Sequence, residues 1–290
     1  MAPKLDTANA HRDVRVSDKK PLPRIEQVHS IDDVVRDLDL IIDWATAADS
    51  TIGYFAVLYK RSTLAIRDAV DRDLFQDSTL MAEFDVIFAQ RYFDALNAYF
   101  YPDEFPKLNV AWEVAFVSHD NPETTMLQQM VAAMNAHICF DLGVAAATVA
   151  PSRLREFEPD FDRITDLLVT QVRGLMVVFE RLSPGFRWVR WTLPELWVID
   201  RVLNKFRRGA WLFAIDMALH PDRVREKRVD HMSWTAALGA WYLHPPGRPW
   251  TPFRALVWVL GRGESRDVTG NLHALNRVAA RPADVRSAFR

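Results

Sequence analysis

The sequence predicts an all-α protein, a single multi-helix domain of about eight to ten helices with a disordered N-terminal arm. Apolar residues recur at three- and four-residue steps, and capping residues precede several of these segments. Strand signals are scarce, since the chain contains no Asn-Gly or Asp-Gly turn and only ten glycines. With 49% hydrophobic and 26% charged residues, the composition excludes a disordered or low-complexity chain.

Spacing and caps predict five helices in the first half of the chain. Ser30 precedes two acids and an apolar stripe, as an N-cap does. Asn121 with Pro122 and Glu123 is predicted to begin the fifth helix, because these residue types favour the N-cap, the first helical position and the first turn. The predicted ranges are about 31–48, 51–73, 79–101, 110–117 and 122–148, and the second of these is expected to be amphipathic.

The second half is predicted to be helical as well, with helices over about 151–182, 194–220, 222–243, 252–261 and 267–279. No repeat of fixed period is visible, so a solenoid is not expected. We assign residues 1–29 to a flexible N-terminal arm, 30–246 to the helical domain and 247–290 to a C-terminal helical extension that carries Trp and Arg. The extension is expected to pack on the body or to form an accessory surface.

Cysteine usage and the N-terminal composition predict a cytoplasmic protein. The single cysteine, Cys139, allows no intrachain disulfide and fits a reducing compartment. Residues 1–24 are polar and lack the apolar region of a secretory signal. The longest apolar run near the C-terminus, residues 253–260, is interrupted by Arg254 and is too short to span a membrane.

Charge is unevenly distributed along the chain. Residues 185–290 carry 18 Lys and Arg but 9 Asp and Glu, although the net charge of the chain is -2, and eight of the ten Trp follow residue 185. Basic residues interleaved with Trp suit a nucleic-acid or anionic-membrane surface. No nucleic-acid-binding motif accompanies them, so we expect no nucleic-acid partner, and a basic rim around a Trp-rich core is the simpler interpretation.

A polar cluster lies inside an otherwise apolar helix at residues 134–142. His137 and Asp141 are four residues apart, so their side chains are expected to meet on one helix face. A carboxylate beside an imidazole orients its tautomer and raises its basicity, as acid–base catalysis or metal ligation requires. The same pair is also typical of a buried hydrogen bond that only cross-links helices, and the spacing does not separate these alternatives.

Other polar residues are candidates for the same site. On the third helix, Asp85 and Tyr92 share a face, and Tyr92 is a predicted donor to Asp141. Arg207 and Trp211 have the spacing of a cation–π pair, and their helix is predicted to supply cationic partners for acids of the third and fifth helices. The full set of predicted ligand-binding residues is Asn135, Asp85, Tyr92, Asp94, Trp112, Arg208 and Trp211.

Motifs of established chemistry are missing from the sequence. The chain has no Gly-x-Gly-x-x-Gly, Walker loop, Gly-x-Ser-x-Gly, His-Glu-x-x-His or Cys-x-x-Cys. His137 and Asp141 could be two ligands of a divalent metal, but zinc needs a third, for which Asp85 and Asp94 are the candidates. The sequence therefore identifies no cofactor.

At these residues the chain resembles an actinobacterial family, the domain-of-unknown-function family 5995. The likeness covers about residues 30–245 and rests on the segments Phe84–Ala89, Tyr92–Ala95, Met134–Ile138, Asp141–Leu142 and Arg208–Trp211. The resemblance implies an all-helical domain without an assigned activity. Cys139 stands where members of the family tend to have a second Asn.

Three functional hypotheses follow. The first is an enzyme or enzyme-like protein that acts on a small, largely apolar molecule, with His137 as the acid–base group and Asp141 as its orienting partner. The second is a metal-dependent hydrolase that uses the same two residues as ligands. The third is a non-catalytic ligand-binding or scaffold protein with a peripheral membrane contact, for which the candidate residues are Trp250, Arg254, Trp258 and Arg262.

Overall fold

The computed structural model describes residues 20–121, 123–187, 195–247 and 251–289, and within these ranges it contains helices and no strand. The predicted all-α class is confirmed. The α-helices are α1 (Ile31–Ala47), α2 (Gly53–Asp71), α3 (Ser78–Phe100), α4 (Val110–Val117), α5 (Met126–Met134), α6 (Leu142–Val149), α7 (Leu154–Leu182), α8 (Glu195–Leu219), α9 (Val224–Leu243), α10 (Thr251–Gly261) and α11 (Val268–Ala279). Short 3₁₀ helices cover Ser118–Asp120, Pro221–Arg223 and Val285–Phe289.

The predicted fifth helix is divided by a π-helical segment, Asn135–Asp141, which joins α5 to α6. At its end the Leu142 N–H donates to the His137 carbonyl, five residues back instead of four. Helical periodicity cannot reveal such a segment, because one wider turn leaves the apolar stripe almost unchanged. The predicted start of this helix at residue 122 is also wrong. The helix begins at Met126, because Thr125 is its N-cap and forms a reciprocal capping box with Gln128.

The helical stretch Met126–Val149 is long and apolar enough to cross a membrane, and it alone among the described residues meets that criterion. The test considers length and composition only, and 78% of the apolar window is buried inside the protein. Burial of this kind is what a core helix requires.

The central helix of the fold is α2, which packs against α1, α3, α5, α7 and α11. Every residue from Ile52 to Thr63 is buried, so the predicted amphipathic helix is wrong over this range. Its charged residues are compensated inside the protein: Lys60 Nζ bonds Asp39 at 2.5 Å and Asn276 at 3.1 Å. Arg61 lies against Gly174 of α7, where a Cβ atom would collide with the guanidinium.

The residues that precede α1 are packed on the helices. Leu22, Ile25 and Val28 belong to the main hydrophobic core, with 1%, 6% and 2% of their surface exposed. The Asn97 side chain accepts from the Ile25 N–H at 3.0 Å and donates to the Ile25 carbonyl at 2.8 Å. The predicted arm of residues 1–29 thus includes a packed segment from residue 20 onward, and residues 1–19 lie outside the described residues.

The C-terminal extension shares the core of the domain. Leu272, Leu275 and Ala279 of α11 are buried in the same cluster as α1 and α2. The Arg61 guanidinium donates to the carbonyls of Val278 at 2.5 Å and Arg281 at 2.7 Å. The extension therefore completes the fold at this end of α2.

Replacing Leu272 by Ala is expected to lower the free energy of unfolding by about 2–5 kcal/mol, because a fully buried leucine would leave a cavity between α2 and α11. Urea denaturation followed by circular dichroism measures the change. The matched control is Leu219→Ala at a position that is 71% exposed, where the expected change is within about 0.5 kcal/mol. Equal effects of the two substitutions would show that α11 is not part of the cooperative unit.

Candidate functional site

The π segment brings His137 and Asp141 into contact, as the four-residue spacing predicted. His137 Nδ1 lies 3.3 Å from Asp141 Oδ2, and both side chains are buried. The contact is local to one helix, but its surroundings come from α2, α3 and α4.

Asp141 accepts hydrogen bonds from two further side chains. Arg91 Nε of α3 donates to Oδ1 at 2.8 Å, and Trp112 Nε1 of α4 donates to Oδ2 at 2.8 Å. Burial alone would raise the pKa of Asp141, but the Arg91 charge and the hydrogen bonds from His137 and Trp112 lower it below its ordinary value. Asp141 is therefore an ionised carboxylate. The prediction that Tyr92 donates to Asp141 is wrong, because the Tyr92 hydroxyl has no hydrogen-bond partner within the described protein.

The ionised carboxylate determines the tautomer of His137. Since Asp141 can only accept, the proton of a neutral imidazole is assigned to Nδ1, and Nε2 carries the free lone pair. Burial lowers the pKa of His137, although Asp141 acts in the opposite direction. Nε2 is buried and has no hydrogen-bond partner within the described protein. In this arrangement Asp141 orients the imidazole, and Nε2 is the nitrogen that can accept a proton.

Aromatic rings enclose the imidazole. Phe88 stacks on it with centroids 3.7 Å apart and planes 10° apart, and Tyr59 makes an edge contact at 4.8 Å. Trp112 and Tyr92 lie near the same ring, with centroids at 5.9 and 6.1 Å. These ring contacts restrict the orientation of the imidazole.

A cavity of about 60 Å³ adjoins His137, and its walls come from α2, α3, the segment from α5 through the π turn to α6, α7 and α8. One water needs roughly 10–15 Å³ of such space, so a few waters or a small organic molecule can fit. Most of the lining is apolar, and the polar exceptions are Tyr59, Ser62, Asp85, His137 and Arg207. Convergence of a few polar groups in an apolar cavity is the usual character of a ligand site.

Asp85 is the most unusual of these polar residues. It is 1% exposed, and neither carboxylate oxygen has a hydrogen-bond partner within the described protein. Burial raises the pKa of Asp85 to about 7. The Tyr59 hydroxyl, which lines the same cavity, is likewise buried without a partner.

Arg207 approaches the cavity from α8. One of its terminal nitrogens donates to the Phe161 carbonyl, and the guanidinium lies 4.5 Å from the Phe161 ring centroid. Its Nε is buried and has no hydrogen-bond partner in the described part of the chain, and burial lowers the pKa of Arg207 to about 9. The predicted cation–π contact between Arg207 and Trp211 is wrong, because Arg207 packs on Phe161. The ring centroids of Phe161 and Trp211 are 4.7 Å apart.

The remaining predicted residues lie outside the cavity lining. Asn135 donates to the Thr235 carbonyl of α9 at 2.8 Å, and exposed Asp94 accepts from Gln90 at 2.8 Å. Arg208 is exposed and pairs with Glu158 at 3.1 Å, and Trp211 is a fully buried core residue. Of the predicted ligand-binding set, Asp85 lines the cavity, while Tyr92 and Trp112 contact the His137 ring.

The model of the DUF5995 family, a family of unknown function, matches residues 31–246 of the chain. The chain belongs to this family. No curated protein and no solved structure matches it.

Two segments on which the resemblance to DUF5995 rests meet at a close helix contact. A Cβ atom at Gly143 of α6, just after Leu142, would lie 2.6 Å from the Ala210 carbonyl of α8. Small residues on both helices allow this approach, which brings α8 and Arg207 toward the π segment.

The metal hypothesis has little support from the geometry of this DUF5995 domain. Among the residues that the structure describes, no three His, Cys, Asp or Glu side chains are grouped to hold a metal ion. Both oxygens of Asp141 already accept from N–H donors, which would repel a cation at the same lone pairs.

Sequence reasoning missed Arg91, Tyr59 and the cavity position of Arg207. Arg91 follows Phe88 by three residues on the apolar stripe of α3, and an arginine within such a stripe signals a buried partner. That signal was present in the sequence. The identity of the partner, 50 residues away on another helix, was not.

The predicted membrane-contact residues are described in part. Trp250 lies outside the described residues. Arg254 is exposed, Trp258 is 63% exposed, and the Arg262 guanidinium lies 5.1 Å from the Trp258 ring centroid. These three residues are thus close to solvent at α10 and its C-terminal end.

Replacing Asp85 by Asn is expected to stabilise the protein, and increasingly so as the pH rises from 5 to 8. Because the folded-state pKa is about 7 instead of 3.8, the unfolded chain loses its proton first, so this carboxyl destabilises the fold above pH 4. The gain should be roughly 2–3 kcal/mol larger at pH 8 than at pH 5. Urea denaturation across this pH range measures it.

The matched control for this experiment is Asp103→Asn, at an exposed position in the loop after α3. Its stability relative to wild type should not change with pH over the same range. A pH-independent effect of Asp85→Asn would show that the Asp85 carboxyl is ionised throughout.

Replacing Arg91 by Met is expected to cost about 3 kcal/mol at pH 7, because Asp141 would remain buried and ionised without its cation. Arg91 keeps the pKa of Asp141 low. The loss of stability in Arg91→Met should therefore become smaller as the pH falls and Asp141 becomes protonated. Arg67→Met, at an exposed ion pair with Asp32, should cost less than about 1 kcal/mol. A similar cost for both variants would contradict the proposed role of Arg91.

Proposed function

We propose that this protein binds a small, largely apolar molecule in the cavity beside His137 and that His137 exchanges a proton with its polar end. The observation that carries the proposal is the state of the imidazole. Nδ1 is held by Asp141, Nε2 is buried and lacks a partner within the described protein, and His137 lines the cavity.

A purely structural His–Asp pair would be expected to satisfy both imidazole nitrogens. Buried polar groups are nearly always hydrogen-bonded, and each one left unsatisfied costs about 1–3 kcal/mol. Four residues that line the same cavity each have at least one buried polar atom without a hydrogen-bond partner among the described residues: Tyr59, Asp85, His137 and Arg207. A bound molecule, or water that it displaces, would satisfy these groups together.

The chemistry available to His137 is general acid–base catalysis. Neutral imidazole with a free Nε2 accepts a proton, and the ionised Asp141 stabilises the imidazolium that forms. Asp141 in this proposal is a positioning residue, since it touches His137 and not the ligand. Arg91 and Trp112 keep the carboxylate ionised and fixed during the transfer.

Replacing His137 by Gln is expected to reduce turnover by about 10²-fold or more while leaving the helical content unchanged, because it removes the proton acceptor from a preserved cavity. Purified protein is incubated with an organic-solvent extract of cells, and compounds that change are followed by liquid chromatography and mass spectrometry. Circular dichroism measures the helical content of each variant.

His273→Gln, at an exposed position on α11, is the matched control and should convert the same compounds at the wild-type rate. Conversion by His137→Gln at the wild-type rate would refute the acid–base role. A wild-type protein that converts and binds nothing in the extract would favour a structural pair.

A further inference from the structure

We propose that the cavity binds its ligand as an apolar amine, with the ammonium group against Asp85 and the hydrocarbon part against the surrounding rings. This inference rests on the proposed binding function and specifies its ligand class. It goes beyond that function because it assigns the specificity to Asp85, a residue that does not contact the His137–Asp141 pair by any hydrogen bond.

The two charged residues of the cavity are differently compensated. Arg207 donates a hydrogen bond to the Phe161 carbonyl and packs on the Phe161 ring, and although burial lowers its pKa, Asp162 and Asp166 act in the opposite direction. Neither oxygen of Asp85 has a hydrogen-bond partner among the described residues, and burial is the cause that raises its pKa. When Asp85 is ionised, its carboxylate therefore has a negative charge without a hydrogen bond from the described protein, and a cationic ligand would supply that bond.

Hydrogen-bond capacity points to the same class of ligand. Both Asp85 oxygens and His137 Nε2 are buried acceptors to which no described residue donates, and the Tyr59 hydroxyl oxygen can also accept. An ammonium group has three donors and no acceptor, so it can satisfy several of these atoms at once. A carboxylate ligand would instead place its charge against that of Asp85.

The lining of the cavity suits the remainder of such a ligand. Phe55, Tyr59, Phe84 and Phe88 present ring surfaces, and aromatic rings attract ammonium groups as well as hydrocarbon. Aliphatic side chains from α7, such as Ile164 and Leu168, complete the wall. At about 60 Å³, the cavity admits a ligand of a few heavy atoms without rearrangement.

The test uses four probes that share a small hydrocarbon skeleton: isobutylamine, isobutanol, isobutyramide and isobutyrate. Binding to the full-length protein is followed at pH 8 through the methyl resonances of Ile66, Ile138 and Ile164, which line the cavity. We expect isobutylamine to bind about tenfold or more tightly than the other probes, because it alone carries a positive charge.

Two variants assign the preference to Asp85. In Asp85→Asn, isobutylamine should lose about tenfold or more in affinity while isobutanol changes by less than about threefold. Asp94→Asn, at an exposed position on the same helix, should retain the wild-type ranking. The wild-type ranking of the four probes is itself decisive if either variant fails to fold.

Failure of this inference and failure of the proposed function give different results. Isobutanol or isobutyramide binding as well as isobutylamine would overturn the amine assignment and leave the binding cavity intact. If isobutyrate binds most tightly and its binding is lost in Arg207→Met, the amine assignment is overturned in favour of an anionic ligand. Binding of none of the four probes would refute both the ligand class and the binding cavity.

Discussion

The ionised carboxylate of Asp141 is the constraint on which the rest of the site depends. A charge buried to 0% exposure is tolerated only where donors surround it, and these come from α3, α4 and the π segment. Arg91, Trp112 and His137 are thereby held in fixed positions around one point. The same carboxylate assigns the imidazole proton to Nδ1, so a single buried charge links the packing of three helical elements to the chemical state of His137.

The π segment that carries this pair is secured from α9. His231 Nε2 lies 2.7 Å from the carbonyl oxygen of Cys139, within hydrogen-bond distance. The Asn135 side chain donates to the Thr235 carbonyl. His231 is in turn stacked on Phe213 of α8, with centroids 3.9 Å apart. Segments of this kind occur often at functional sites, because the wider turn redirects side chains that a regular helix would place elsewhere. Here α9 bonds the segment at its first residue, Asn135, and again at Cys139.

Sequence reasoning succeeded where the decisive interaction is local. The all-α class and the His137–Asp141 contact follow from three- and four-residue spacings, which are properties of one helix. The partners of Asp141 depend on how helices pack, so Trp112 could be predicted as a site residue but not as a donor, and Tyr92 was chosen as the donor instead. The packing of residues 20–29 has no repeating pattern that predicts it, and the π segment leaves the apolar stripe of its helix almost unchanged, so periodicity predicts neither.

Two buried aspartates show what distinguishes a structural carboxylate from a candidate functional one. Asp160 and Asp85 are both 1% exposed. Asp160 accepts from the backbone N–H groups of Gln76 and Asp77 at 2.8 and 2.9 Å, so it connects α7 to the start of α3 and its burial is compensated. Asp85 lines a cavity and accepts no hydrogen bond from any residue that the structure describes. The hydrogen bonds to Asp160 show that a carboxylate buried in this fold can find partners within the protein. The missing hydrogen bonds at Asp85 are therefore best explained by a group that binds in the cavity.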